Sequence, residues 1–518
     1  MFSKNCSLFF KKVINFVLMG WKSFIIKPFA KYIANDIKNW SSKAVDCQNN
    51  IFKELMVAVE KTAFGKDHGL TAITTYEEFK KKVPIREYEQ LKTYIERIKK
   101  GEENVLWPGK PKYFAKTSGT TSGIKYIPIT KESVPNHFNT ARNALFNYFI
   151  ETGNGKWLDK KVIFLSGSPE LENINGILTG RLSGISNHMV PNWLKKNQMP
   201  SYNTNCIDDW EEKVEKIVEE TLSEPMGLIS GIPPWVQMYY ERLIVRSGKS
   251  NIKDIFPDFS VFVYGGVNFE PYRSKLESLV GKKMDSVETY PASEGFIAFQ
   301  DTQKSNGLLL NSNSGIFFEF VPVDEVFEEN PTRLSLNEIE IGVNYALIIN
   351  NNAGLWGYSI GDTVQFISKF PHRLLVTGRI KHYISAFGEH VISKEVEEAI
   401  LKVVNSFGEH LVEFTVAPNI NPEEGGLPYH EWFIEFDNFH SDKAAFAKQL
   451  DAEMILQNIY YQDLIVGNIL QPLKIRLMKQ DTFRNYMKSQ GKLGSQNKVP
   501  RLSNDRKIAD ALKEYIRE

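Results

Sequence analysis

The densest set of anion-handling residues in the chain is Thr117-Ser118-Gly119-Thr120-Thr121-Ser122-Gly123-Ile124-Lys125. Five hydroxyl residues and two glycines fill its first seven positions, and a lysine follows two residues later. Glycine lets backbone N–H groups close on an anion and turn inward as a nest. Hydroxyls add donors, and a lysine ammonium is a point charge suited to phosphate oxygens. The flanks, Tyr113-Phe114-Ala115-Lys116 and Tyr126-Ile127-Pro128, read as strand rather than as flexible linker. No Gly-Lys-Ser/Thr opens a helix here, so the segment is not a P-loop. The chemistry it points to is the grip on a phosphate chain.

This stretch resembles the phosphate-loop signature of the adenylate-forming superfamily, enzymes that join a carboxylic acid to AMP from ATP and release pyrophosphate. Two later segments carry the resemblance further. Thr289-Tyr290-Pro291-Ala292-Ser293-Glu294-Gly295 is similar to the second signature. There the resemblance implies that Tyr290 flanks adenine, that Ser293 lies at the nucleotide, and that Glu294 helps hold Mg²⁺. Tyr358-Ser359-Ile360-Gly361-Asp362 is similar to the third, and implies that Asp362 accepts both ribose hydroxyls. The residue types suit those tasks. A hard cation that offsets triphosphate charge takes carboxylate oxygens, and an ionised aspartate is a strong acceptor for two vicinal hydroxyls. Alone, Glu294 reads equally as a surface glutamate and Asp362 as a turn residue; three signatures in order argue otherwise.

Within that superfamily the chain, from about residue 25 to its end, resembles the Gretchen Hagen (GH3) family of acyl-acid amido synthetases. Gly231-Ile232-Pro233-Pro234-Trp235 and Val263-Tyr264-Gly265-Gly266 fall in the expected order. The terminal Gln496-Asn497-Lys498-Val499-Pro500-Arg501 resembles that family's Gln-x-Lys-x-Pro-Arg tail. By this resemblance Lys498 is the lysine that enters the active site during adenylation. Gly491-Lys492-Leu493, just upstream, superficially resembles the Gly-Lys ending of coenzyme A ligases, and Lys492 is the rival for that role. Residues 379–390, with His382 and Phe387-Gly388-Glu389-His390, look like the bacterial branch.

The implied function is an ATP-dependent acid–amino acid ligase, using ATP and Mg²⁺, with a small carboxylic acid and an amino acid as substrates. Thr117, Ser118, Gly119, Thr120, Thr121, Ser122, Gly123 and Lys125 would hold phosphate, and Arg379 would neighbour Asp362 at the hinge. An acyl–coenzyme A ligase with the same first half-reaction, and a non-catalytic nucleotide-binding protein, are the alternatives. Trp235, Val236, Met238 and Val267 are the apolar residues nearest these motifs; each reads as plain core before it reads as acyl pocket.

Behind these motifs lies an alternation of elements. Residues 1–100 pattern as helices, broken at Pro84 after the Lys80-Lys81-Lys82 run. Strand candidates at 162–165, 227–230, 261–264 and 286–289 alternate with helical stretches at 234–245 and 270–279, the pattern of an α/β fold with a largely parallel sheet. Further strands at 315–320, 345–349 and 363–367 suggest a β-rich subdomain. Residues 393–478 read helix, strand, strand, helix, strand. The expected architecture is a large α/β adenylation domain over residues 1–380, with a helical N-terminal region, mixed sheets and the β-rich subdomain. A smaller α+β domain over 381–518 carries the catalytic lysine.

Composition sets the remaining bounds. With 518 residues, and roughly 150 per domain, two to four units are expected. Lys plus Arg total 63 and Asp plus Glu 62, so charge gives no reason to invoke nucleic acid. Three scattered cysteines, Cys6, Cys47 and Cys206, fit a reducing cytoplasm and neither a disulfide framework nor a thiolate zinc site. The nine histidines show no metal-ligand spacing. The apolar run 13–21, flanked by lysines, is too short to span a membrane; it reads as a packed N-terminal helix, with contact to a membrane surface as the lesser reading.

Overall fold

In the computed structural model the described residues are 21–118, 124–190, 195–266, 269–305, 307–380, 383–384, 389, 391–420, 422–423, 427–466, 469–493 and 498–517. The chain divides into two compact units. One comprises Met1–Val267, Glu277–Ile360 and Gln365–Leu375; the other comprises Asn268–Leu276, Gly361–Val364 and Val376–Glu518.

The larger unit opens with helices Trp21–Ser41, Ala44–Val59, Tyr76–Lys82 and Tyr88–Lys99. The helix Tyr76–Lys82 starts in a capping box between Thr75 and Glu78 and ends in Lys80, Lys81 and Lys82. Acids first and bases last complement the helix dipole, and Pro84 then prevents continuation. The basic run is thus a helix terminus. The apolar run at 13–20 lies outside the described residues.

The strands fall into two larger sheets. β1 (Tyr113–Ser118), β2 (Ile124–Ile129), β4 (Glu172–Ile174) and β5 (Ile177–Gly180) form one, in the order β2-β1-β5-β4. The other is built from β3 (Lys161–Phe164), β6 (Gln198–Met199), β7 (Met226–Ser230), β8 (Val261–Gly265), β9 (Asp285–Ala292), β10 (Gly295–Phe299), β11 (Leu308–Leu310), β12 (Ile316–Pro322), β13 (Asn344–Asn351), β14 (Tyr358–Lys369) and β15 (His372–Arg379). Its order is β12-β13-β14-β15-β11-β10-β9-β8-β7-β3-β6. The β3, β7, β8 and β9 strands pair parallel, and from β9 onward the pairing turns antiparallel through β10, β11 and β15. The segment expected to form a β-rich subdomain therefore continues the parallel sheet. β9 joins the two parts because it pairs parallel on one edge and antiparallel on the other. Leu228, Ile229, Val261, Phe262 and Val287 are fully buried, as parallel strands covered on both faces require.

The smaller unit holds β16 (Tyr383–Ile384) paired with β17 (Val391–Ile392). A separate three-stranded sheet is made of β18 (Leu411–Asn419), β19 (Tyr429–Phe436) and β20 (Lys474–Leu477). Helices Ser393–Phe407 and Lys443–Gln457 pack their apolar faces on it, with Val396, Ile400, Val403, Phe446, Leu450 and Met454 joining Phe414, Val416, Trp432 and Ile434 in one core.

Candidate active site

The phosphate-loop candidate is the connection of a hairpin. β1 and β2 pair antiparallel from Tyr113↔Ile129 to Ser118↔Ile124, and Thr117 sits opposite Lys125. The expected strand-like flanks are real strands. They place Thr117 and Lys125 on one face, because directly opposed residues of an antiparallel pair project to the same side of the sheet. Lys125 Nζ lies 5.8 Å from the Tyr88 ring centroid, and Tyr88 Oη accepts the Tyr126 N–H at 3.0 Å, so the loop's exit is braced by the helix Tyr88–Lys99. Gly119, Thr120, Thr121, Ser122 and Gly123 lie outside the described residues, as does the side chain of Ser118.

The second motif is also a hairpin. Ala292 pairs with Gly295, so Ser293 and Glu294 are the two turn residues between β9 and β10. Tyr290, in β9, is buried. Asn351 and Tyr358 hold Glu294. Its carbonyl accepts Asn351 Nδ2 at 2.7 Å, and its carboxylate lies 3.4 Å from Tyr358 Oη. The Tyr358 phenol is buried, and burial together with the nearby Glu294 charge pushes its pKa well up. It therefore stays protonated and donates to Glu294. Tyr358 thus links the third motif to the second, a role that spacing alone did not reveal.

No group of three or more His, Cys, Asp or Glu side chains able to cage a metal occurs among the described residues. Mg²⁺ keeps several waters and binds through one or two carboxylates plus substrate phosphates. A single half-buried carboxylate at the tip of a tight turn, oriented by Tyr358 and Asn351, fits that demand.

The third motif opens β14. Gly357, immediately before it, has φ +58°, and a Cβ there would stand 2.6 Å from the Pro84 carbonyl oxygen. Only glycine allows that approach. It brings Arg86 alongside, with Arg86 N–H donating to the Gly357 carbonyl at 2.7 Å and Ser359 N–H to the Arg86 carbonyl at 2.8 Å. Gly361, at φ +82°, turns the chain into Asp362. Arg379 Nε lies 2.8 Å from Asp362 Oδ1, so the expected neighbour of Asp362 is its ion-pair partner. Asp362, Arg379 and Lys498 all belong to the smaller unit.

Lys498 is exposed, yet its ammonium is closely surrounded by protein. Burial pushes its pKa down to about 8; attraction to Asp362 opposes this, Arg379 reinforces it, and Glu397 opposes it. The accessible surface means the ammonium is crowded rather than sealed from water. Lys498 therefore shares a field with Asp362 and Arg379. The rival Lys492 is exposed and follows the end of the helix Thr482–Ser489, its N–H donating to the Met487 carbonyl at 2.8 Å.

Of the apolar candidates, Trp235 and Val236 are core. The Trp235 ring packs 4.5 Å from that of Trp210. Met238 is half-buried, and Val267 lies outside the described residues. Three histidines of the described residues are buried. His137 and His372 are buried and pushed down to about 4 by desolvation, and His430 is buried against Glu389 at 2.8 Å. His382 and His390 lie outside the described residues.

Three family models match the chain: the GH3 family N-terminal domain over residues 33–205, the central domain over 309–379 and the C-terminal domain over 394–507. The chain is similar to the indole-3-acetic acid-amido synthetase GH3.3 of Arabidopsis thaliana, with 24% identity over 543 residues and 88% of each chain covered. It is also similar to the jasmonoyl–L-amino acid synthetase JAR6 of Nicotiana attenuata, at 23% identity, covering 90% of this chain and 93% of the relative. Among solved structures, the AtGH3.15 acyl acid amido synthetase in complex with 2,4-DB superposes with a TM-score of 0.78 at 15% identity, covering 94% of this chain and 96% of that one. A 2-hydroxyisobutyryl-CoA ligase superposes with a TM-score of 0.58 at 12% identity, over 90% of each chain. At such identities the superpositions establish the fold.

Proposed function

Because this chain belongs to the GH3 family, we propose that it is an ATP-dependent acid–amino acid ligase working through an acyl-adenylate. In the first half-reaction a carboxylate oxygen attacks the α-phosphorus of ATP. The bond from that phosphorus to the bridging oxygen breaks, and pyrophosphate leaves. Both reactants are anionic, so catalysis is mainly positioning and charge neutralisation. Ser118, Thr120, Thr121 and Lys125 hold the β- and γ-phosphates, with Thr117, Gly119, Ser122 and Gly123 shaping the loop. Tyr290 and Ser293 line the base, and Asp362 takes the ribose hydroxyls with Arg379 beside it. Lys498 spans the attacking carboxylate and the α-phosphate. Mg²⁺, held at Glu294, supplies positive charge to the phosphate chain when bound.

In the second half-reaction a neutral amine attacks the acyl carbon, the carbon–oxygen bond to AMP breaks, and the amine loses a proton as the amide forms. Residues 1–380 act as the adenylation domain. Residues 381–518 turn about 379–381 between the half-reactions and withdraw Lys498. The enzyme works in a reducing cytoplasm; Cys47 and Cys206 are free thiols, and no helix among the described residues is long and apolar enough to cross a membrane.

The observation that supports this reading best is the shared field of Lys498, Asp362 and Arg379 in a chain of this family. The test is ATP–pyrophosphate exchange over a panel of carboxylic acids including indole-3-acetate, jasmonate and benzoate. Amino acids or coenzyme A are then added, and the product is identified by mass. Acid-dependent exchange followed by an amide is expected. Exchange with no acid, or a thioester as the product, would refute the ligase assigned here.

A further inference from the structure

Beyond β3 the chain leaves the large sheet through Ser166 and Gly167. Leu165 N–H donates to the Ser230 carbonyl at 2.8 Å, so this exit lies beside the Gly231-Ile232-Pro233-Pro234-Trp235 motif. The Ser166 carbonyl accepts Lys213 Nζ at 2.9 Å, and the Asn205 carbonyl accepts it at 2.6 Å. A Cβ on Gly167 would stand 3.0 Å from Arg181 Cδ, 3.5 Å from Arg181 Nη1 and 3.6 Å from Ser183 Oγ. Lys213, Arg181 and Ser183 thus converge on two adjacent residues. The same place lies near the hydroxyl-rich loop. β5 pairs parallel with β1, Gly180 opposite Ala115, so the chain reaches Arg181 heading the way β1 runs on to Ser118, about 10 Å further along the strand. The carboxyl ends of parallel strands are where α/β sheets bind ligands.

The donors gathered here outnumber the acceptors. Lys213 is 2% exposed, and two of its three N–H donors go to carbonyls. No carboxylate of the described residues lies within 4.0 Å of Lys213 or Arg181. Ser183 Oγ and both amide atoms of the fully buried Asn205 have no hydrogen-bond partner among the described residues. Arg181 is the N-cap of the helix Leu182–Met189, which no side chain caps, so the helix dipole adds positive potential. A buried ammonium without a counter-charge is costly. Burial accordingly lowers the Lys213 pKa; Cys206 opposes the shift and Arg181 reinforces it. Arg181 is exposed, which leaves the nest open to solvent on its guanidinium side.

We propose that Arg181 and Lys213 form a subsite for a substrate carboxylate that takes no part in bond formation, with the guanidinium as its bidentate partner. Its place in the reaction rests on the ligase reading given above. Two substrates carry such a group: an amino acid acceptor has its α-carboxylate, and a dicarboxylic acyl acid has a second carboxylate. A purely structural role for Lys213 predicts lost stability in its variants and an Arg181 that no carboxylate shields.

The test reads Arg181 in the full chain and needs no turnover. Arginines are labelled with phenylglyoxal, and the Arg181 peptide is quantified by mass spectrometry against that of the exposed Arg246. Glycine, L-alanine, L-leucine and L-phenylalanine are compared with their carboxamides, and glutarate and phthalate with pentanoate and benzoate. Labelling of Arg181 should slow about tenfold with the carboxylate-bearing member of a pair at about ten times its Kd, and far less with its counterpart. Shielding in the first set assigns the carboxylate to the acceptor, and shielding in the second assigns it to the acyl acid. Lys213→Met should abolish the shielding. Arg181→Gln, at an exposed position, carries the test if that variant does not fold: it should raise the KM of the carboxylate-bearing substrate by about tenfold to a hundredfold, with kcat and the KM of the counterpart near wild type. Arg181 labelling that no compound slows, or that both members of every pair slow equally, would overturn the subsite. Carboxylate-dependent shielding in a chain without acid-dependent pyrophosphate exchange would keep the subsite and refute the ligase, whereas exchange without such shielding would refute the subsite alone.

Discussion

Asp362 and Arg379 form an ion pair, with Arg379 Nε 2.8 Å from Asp362 Oδ1. The pair is asymmetric: the Asp362 side chain is 18% exposed and that of Arg379 53%. The guanidinium therefore orients the carboxylate from one side. In the proposed enzyme Asp362→Asn keeps the shape of the side chain but trades two charged acceptors for one neutral oxygen. Hydrogen bonds to charged groups contribute about 1.5–3 kcal/mol. The KM for ATP should rise by about tenfold to a hundredfold, with a smaller change in kcat. An unchanged KM for ATP would remove Asp362 from the nucleotide site.

Lys498 is the proposed bridge between the attacking carboxylate and the α-phosphate, an interaction that strengthens as charge develops. Lys498→Met should lower acid-dependent pyrophosphate exchange by about two to three orders of magnitude, the usual cost of one preorganised electrostatic donor. Amide formation from a supplied acyl-adenylate should fall far less. Lys492→Met should leave both rates near wild type. If the two variants exchange these outcomes, the catalytic lysine is Lys492.

The pH dependence of adenylation follows from the same lysine. Burial lowers the Lys498 pKa to about 8, and the role requires the charged form. Below that value the ammonium is intact and the rate should be flat. Above it the charged fraction falls, and the rate should drop tenfold per pH unit until another group titrates. Exchange rates measured from pH 6.5 to 10 check this. A rate that stays flat through pH 9.5 would show that Lys498 keeps its charge or has no part in the step.

Much of this was legible in the chain and some of it was not, for identifiable reasons. Parallel strands such as β7 and β8 are covered on both faces, so their apolar runs announced them. The hydroxyl-rich loop stood out because its composition is unusual inside a compact domain, and Lys498 because a motif surrounds it. Pairing partners are another matter. That β1 lies beside β5 in parallel, or that β9 turns one sheet from parallel to antiparallel, depends on long-range contacts that no local pattern encodes. The same holds for Tyr358, which opens the third motif in sequence but whose contact with Glu294, 64 residues earlier, only the fold supplies. Arg501 was visible as a letter of a motif, but its carboxylate partners lie about 90 to 100 residues away in sequence.

Lys213 offers a test of burial in the larger unit. Its ammonium is buried and donates to the carbonyls of Ser166 at 2.9 Å and Asn205 at 2.6 Å. Desolvation pushes its pKa down to about 8, against about 10.4 for an unfolded lysine. Between these values the unfolded chain holds more protons than the folded one, so stability rises with pH across that window. Below about pH 8 both states are charged and the burial cost is fully felt. Lys213→Met removes this term. The Tm of the natural chain minus that of the variant should therefore increase from pH 7.5 to 10. A difference that stays constant over that range would mean Lys213 titrates normally.

The N-terminal helices are tied to the sheet by a buried ion pair. Glu319, fully buried on β12, accepts Arg333 Nε at 2.9 Å and Nη2 at 2.7 Å, Tyr76 Oη at 3.0 Å and Asn350 Nδ2 at 2.7 Å. Arg333 also donates to the carbonyls of Lys80 and Val83, at the end of the helix Tyr76–Lys82. Every lone pair of this carboxylate has a task, so removing the cation leaves a buried anion that water cannot reach. Arg333→Met should destabilise the larger unit by about 3–5 kcal/mol, read from the denaturant transition that reports that unit. Glu319→Leu combined with Arg333→Met should cost less than Arg333→Met alone, because a paired apolar replacement leaves no buried charge. If the double variant is the less stable of the two, the pair contributes through packing and its hydrogen bonds to Tyr76 and Asn350 rather than through mutual neutralisation.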